Sequence, residues 1–140
     1  MATENPSIIS HVSLGTNRFP EARAFYERVL GKLGCRVIME HPGAAAFGKA
    51  YPEFWIQTPN EGAVASCGNG VHVSFTAASK AEVDAFFKEA IAAGAVTDGD
   101  PGHRPPYGEP YYGCFVSDLD GNKIEATFWD MELAKKLGMG

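Results

Sequence analysis

The tripeptide His-Val-Ser occurs twice, at His11-Val12-Ser13 and at His72-Val73-Ser74, 61 positions apart. The same offset lays Glu21 on Glu82, Ala24 on Ala85, Phe25 on Phe86 and Tyr26 on Phe87. Self-similarity at a fixed spacing points to a duplicated module of about sixty residues. Each copy also ends on an apolar run that carries a polar residue: Gln57 in Trp55-Ile56-Gln57 and Glu125 in Lys123-Ile124-Glu125. Two imidazoles and a carboxylate are a donor set for a divalent transition metal with open coordination positions, and the Gln57 carbonyl oxygen adds a weaker donor.

The elements that must position these residues follow from periodicity. Residues 8–14 alternate as a strand, and residues 35–40, 44–48 and 53–58 give three more. Between the first two, Pro20 opens a helix whose apolar stripe is Ala22, Phe25, Tyr26, Val29 and Leu33. The polar stretch 60–69 separates this module, about 8–59, from a second at about 70–128. There a strand at 70–76 is followed by the capping pattern Ser79-x-x-Glu82 and a helix with the stripe Val83, Phe86, Phe87, Ala90 and Ile91. A short strand at 95–97 comes next, and strands at 111–117 and 122–128 pair across an Asp-Gly turn. A terminal helix is expected at about 130–138. The predicted fold is α+β: two tandem βαβββ modules in one domain, forming a curved mixed sheet around a cavity.

A one-residue step along a strand reverses the face of a side chain. With Val71, Val73 and Phe75 turned to the helix, His72 and Ser74 face away from it, and His11 and Ser13 do the same in the first copy. With Phe54, Ile56, Ile124 and Phe128 turned inward, Gln57 and Glu125 share the open face with the histidines. Pseudo-symmetry is then expected to bring all four to one centre. Trp55 shares its face with Gln57 and is a candidate cavity wall. The proline-rich segment 103–112 is a candidate substrate flap, with Arg104 available to an anionic group and Tyr107 or Tyr112 as hydrogen-bond donors. Cys114 reads as a small buried residue rather than a nucleophile. The Asp118-Leu119-Asp120-Gly121-Asn122 run is a turn and not a calcium loop, since Trp129 stands where that loop needs its twelfth-position glutamate.

Composition excludes several classes. A net charge of −5 without a Lys/Arg cluster argues against nucleic acid or an anionic membrane as partner. No apolar run approaches the length of a membrane span. Three cysteines in no C-x-x-C pairing read as reduced thiols, and the start has no secretory leader pattern, so the expected location is cytoplasmic.

These motifs resemble the vicinal oxygen chelate superfamily, which includes glyoxalase I, extradiol dioxygenases, fosfomycin-resistance thiol transferases, methylmalonyl-CoA epimerase and bleomycin-resistance proteins. The matching residues are His11, Ala24-Phe25-Tyr26, Val29-Leu30-Gly31, Gly70-Val71-His72-Val73 and the run from Phe115 to Glu125. The resemblance implies metal ligands at His11, Gln57, His72 and Glu125, and a divalent ion such as Ni, Zn, Mn or Fe. It further implies a small substrate chelating through adjacent oxygens, and a homodimer. The expected activity is that of a glyoxalase-I-like lyase with Glu125 as catalytic base. The bacterial glyoxalase pattern has Glu where this chain has Gln57, which removes a charge and one possible base. A His-His-Glu set also suits an extradiol-type dioxygenase or a thiol transferase, and a metal-free drug-sequestering binder is the alternative from another class.

Overall fold

A computed structural model describes residues 6–139. Residues 1–5, on which the reading of a leader-free start largely rests, lie outside the described residues. The first module runs β1 (Val12–Gly15), α1 (Phe19–Gly31), β2 (Arg36–His41), β3 (Ala44–Gly48) and β4 (Phe54–Gln57). The second repeats the order with β5 (His72–Thr76), α2 (Lys80–Ala92), β6 (Val96–Gly102), β7 (Tyr111–Ser117) and β8 (Lys123–Trp129), and α3 (Met131–Lys136) closes the chain. The strands form two four-stranded mixed sheets, ordered β1-β4-β3-β2 and β5-β8-β7-β6. In each sheet the first and last strands of the module are parallel and the other neighbours antiparallel. The α+β duplication is thus present, element for element.

Local chemistry explains most boundaries. Ser79 caps α2 by accepting from the Glu82 N–H at 3.1 Å, while the Glu82 carboxylate accepts from the Ala78 N–H at 2.8 Å. β1 starts at Val12 instead of residue 8, because its parallel partner β4 offers only four residues and Val12 N–H already bonds the Glu53 carbonyl. His11 therefore sits just before the strand, not within it. β6 runs longer than expected and through Pro101, which an edge strand with register irregularities accommodates.

α1 and α2 each cover the sheet of their own module, and α1 packs against α2. One hydrophobic core results, drawing Phe25, Tyr26, Leu30 and Phe54 from the first module and Phe86, Val116 and Ile124 from the second. Phe54 and Phe75 meet edge-to-face at 4.9 Å across the two sheets. On the opposite face of the second sheet His72, Ser74 and Thr76 are exposed along β5, whereas Tyr111, Phe115 and Glu125 of the neighbouring strands are buried.

The Asp118–Asn122 turn also clasps the modules together. The buried Asp118 carboxylate accepts from the Tyr26 hydroxyl of α1 at 2.5 Å, from the backbone N–H groups of Asp120 and Asn122, and from the Asn122 side-chain amide. Next to it, Asp120 accepts from the Thr16 hydroxyl at 2.5 Å and the Asn17 N–H at 2.9 Å. Removing one carboxylate orphans several buried donors at once, and each loss costs on the order of 1–3 kcal/mol before relaxation. Asp118→Ala is expected to destabilise the protein by about 3 kcal/mol and to lower its thermal midpoint by roughly 10 °C. Thermal unfolding followed by circular dichroism checks this.

Candidate functional site

The second sheet holds a compact polar constellation on its open face. His72 opens β5, and its Nε2 lies 3.1 Å from Oε1 of Glu125 on the neighbouring β8. The β5–β8 register pairs Ser74 with Glu125, which puts His72 two residues back on the same face. Glu125 is only 6% exposed, whereas the His72 side chain is 44% exposed. The carboxylate is therefore anchored inside and the imidazole stands at the mouth.

The other carboxylate oxygen is occupied. Glu125 Oε2 accepts from the Tyr111 hydroxyl at 2.5 Å and from the Thr127 hydroxyl at 2.9 Å. Thr127 has a single hydroxyl hydrogen, so its 2.6 Å contact with Ser74 is one in which Ser74 donates. Burial, then the hydrogen bond to Glu125, pushes the Tyr111 phenol well above its ordinary range, and Tyr111 donates as a neutral group. Among buried side-chain polar atoms of the described residues, none lacks a partner.

A cleft of about 470 Å³ lies in front of this pair, lined by His72, Arg104, Tyr107, Phe115, Lys123 and Glu125 among others. Arg104 packs its guanidinium over the Phe115 ring at 5.8 Å and donates to the carbonyls of Asp100 at 2.8 Å and Gly102 at 3.1 Å. Lys123 covers the same ring at 4.9 Å and lies 3.6 Å from the Asp98 carboxylate. Tyr107, in a 3-10 turn at Pro105–Tyr107, meets Tyr111 edge-on at 5.1 Å. The proline-rich segment thus borders the cleft through Arg104 and Tyr107.

Tyr112 does not. β7 alternates, so Tyr111, Gly113 and Phe115 share the face of Glu125 while Tyr112 turns to α2, where its hydroxyl donates to Asp84 at 2.7 Å. The tyrosine on the carboxylate is Tyr111, its sequence neighbour. Cys114 lies on the helix side, fully buried, with its thiol pushed up to about 12 chiefly by burial. A nucleophilic role is closed to it at neutral pH.

The first sheet presents a different set. His11 is exposed, with Nδ1 3.0 Å from the Ser10 hydroxyl, and lines a cleft of about 940 Å³ with Tyr51, Glu53 and Trp55. Trp55 stacks on His41, the rings 6.2 Å apart and 4° from parallel. The ladders also correct the residue equivalence. Ser13 pairs with Trp55 as Ser74 pairs with Glu125, while Gln57 pairs with Gly15 as Thr127 pairs with Thr76. Trp55 therefore stands where the second module has its carboxylate, and Gln57 stands at the position of Thr127. Matching the two runs by their local pattern misplaces the frame by two residues.

The four expected donors do not converge within one chain. His11 and Gln57 belong to one sheet and His72 and Glu125 to the other, with the two modules packed through their helices. Among the described residues, no group of three or more His, Cys, Asp or Glu side chains is arranged to hold a metal ion. One chain supplies two converging donors, the His72 imidazole and the Glu125 carboxylate.

Comparison with known proteins bears on these features. The family model described as the Glyoxalase/Bleomycin resistance protein/Dioxygenase superfamily matches residues 8–126. A crystal structure of a glyoxalase/bleomycin resistance protein from Albidiferax ferrireducens T118 is 34% identical, covers 87% of this chain and 98% of its own, and superposes with a TM-score of 0.78. A lactoylglutathione lyase from Agrobacterium tumefaciens is 25% identical, with 91% and 98% coverage and a TM-score of 0.63. At 18% identity a Burkholderia phytofirmans PsJN structure shares the fold, with a TM-score of 0.67 and 88% and 99% coverage. Among curated proteins none matches the chain.

Proposed function

The chain belongs to the Glyoxalase/Bleomycin resistance protein/Dioxygenase superfamily, and from that premise we propose that it is a metal-dependent lyase or isomerase of the glyoxalase type. Its reaction is proton transfer next to a carbonyl in the cleft before His72 and Glu125. The observation that carries the reading is the buried Glu125 carboxylate, with Oε1 turned to an imidazole at the cleft and Oε2 held by two hydroxyls. The similarity to a lactoylglutathione lyase supports the same reaction class.

Donor chemistry supports a divalent ion, since an imidazole and a carboxylate 3.1 Å apart at a cleft are two of the three side chains a facial metal site uses. The third is assigned to His11 of a second copy of the chain, because His11 is exposed on the open face of the other sheet. The proposed assembly is an isologous homodimer with two sites, each shared between chains. When bound, the ion supplies Lewis acidity beside a developing oxyanion.

The remaining steps belong to the chain. Glu125 takes the proton from the carbon next to the carbonyl at Oε1 and returns it to the neighbouring carbon. Tyr111 and Thr127 hold the carboxylate while it works. Arg104 makes no ion pair with a carboxylate among the described residues, and it meets an anionic group of the substrate with its unused N–H donors. Tyr107 and Phe115 form the cleft wall. The three free cysteines support a cytoplasmic location, and none of the described helices is long and apolar enough to cross a membrane.

A second reading rests on Trp55. An indole at the position equivalent to a carboxylate, stacked on His41, suits a metal-free protein that sequesters a flat small molecule. Elemental analysis decides between the two. The purified protein is expected to carry about one divalent ion per chain, lost in His72→Ala and in His11→Ala. Full metal content in His72→Ala contradicts the assignment, and a wild-type protein that takes up no Ni, Zn, Mn or Fe supports the binder.

A further inference from the structure

The β7 strand contains a device for which neither the repeat nor the donor set accounts. Tyr111 pairs with Trp129 at the far end of the β7–β8 ladder, whereas Glu125 pairs with Phe115. Tyr111, Gly113 and Phe115 lie on one face, so a tyrosine four residues from the carboxylate's partner reaches Glu125 only by lying along the strand. Gly113 is the residue it crosses. A Cβ at Gly113 would stand 2.2 Å from the Tyr111 hydroxyl oxygen and 2.6 Å from its ring carbon Cζ, and 2.8 Å from the Ala126 carbonyl oxygen. A side chain at this position cannot coexist with the phenol where it now lies, so one of them must shift. The absence of a side chain there makes the 2.5 Å bond between Tyr111 and Glu125 possible.

That bond distinguishes the two oxygens of the carboxylate. The terminal torsion of a glutamate is broad and roughly two-fold, so nothing in the side chain itself separates Oε1 from Oε2. Two hydroxyl donors on Oε2 do separate them, because turning the carboxylate means breaking both. Of these donors Tyr111 is the stiffer, the residue being 5% exposed and its ring braced edge-on against Tyr107. The Thr127 hydroxyl belongs to a chain that ends on the exposed Ser74.

We propose that Tyr111 is the positioning residue of this site: carried over Gly113, its hydroxyl commits Glu125 Oε2 to the interior and leaves Oε1 as the working oxygen in the cleft. The inference rests on Glu125 being the working carboxylate. It adds a residue, and a glycine that admits it, to the groups assigned above. Tyr111 touches neither the reacting carbon nor the ion in this arrangement. It acts through Glu125.

The test compares Tyr111→Phe, which keeps the ring over Gly113 and removes only the hydroxyl, with Thr127→Val. Two readouts are used: the ring-nitrogen NMR shifts of His72, whose Nε2 lies on Oε1, and the affinity for Co²⁺ added alone. Tyr111→Phe is expected to move the His72 signals and to weaken Co²⁺ binding about tenfold, the usual effect of losing a partner of a metal ligand. Thr127→Val is expected to move both less. Unchanged His72 signals in Tyr111→Phe, or a larger effect from Thr127→Val, overturns the inference. A wild-type protein that binds no Co²⁺ contradicts the metal reading instead, and the His72 signals, which need no metal, still decide the role of Tyr111.

Discussion

Glu125→Gln is expected to lower the rate of proton transfer by about 10²–10⁴-fold, the range a positioned general base contributes. The substitution is close to isosteric. The amide oxygen still accepts from Tyr111 and Thr127, and the amide nitrogen faces His72, so no buried donor is orphaned. Stability is therefore expected to change by only about 1 kcal/mol. Glu125→Ala differs, since it leaves the buried Tyr111 hydroxyl without an acceptor and opens a void. Exchange of the substrate's α-hydrogen for solvent deuterium, followed by NMR on a thiol–aldehyde adduct, reads the step directly. Near-wild-type exchange in Glu125→Gln removes Glu125 from the role of base. Oxygen uptake with catechols, in place of exchange, moves the assignment to the dioxygenase branch of the family.

The sequence carried the duplication, both helices and the shared face of His72 and Glu125, because the repeat and the strand and helix periodicities are written in residue spacing. Ser79 and Glu82 form the expected cap, and the alternation along β5 and β8 puts His72 and Glu125 on one face. Two things were not legible. The first is strand phase: Tyr111 and Tyr112 are adjacent, and only the pairing of Phe115 with Glu125 says which one faces the site. Stepping back by twos from Phe115 through Gly113 would have pointed to Tyr111. The register of β1 against β4 has the same character, and it moves the equivalence with Glu125 from Gln57 to Trp55. The second is packing between modules. A repeat says that His11 and His72 are equivalent, not that they meet, and the shared core with its Asp118 clasp places them on separate open faces.

That separation makes the shared site the central claim, and a mixing experiment has the largest consequence for it. In an isologous dimer each site takes His11 from one chain and His72 with Glu125 from the other. A dimer of His11→Ala chains has two broken sites, and so has a dimer of His72→Ala chains. A mixed dimer is different: one of its sites carries both lesions and the other carries none. Random assembly makes half the dimers mixed, so co-expression of the two variants should restore about one quarter of the wild-type metal content and activity from two parents that each have almost none. The intact sites should be wild-type in KM, because nothing in them has changed. Metal content and turnover of the co-expressed mixture, measured beside both parents, test the account most directly. Recovery near one quarter is the predicted result. A mixture as empty and inactive as its parents, or a His11→Ala protein that keeps its metal unaided, contradicts it.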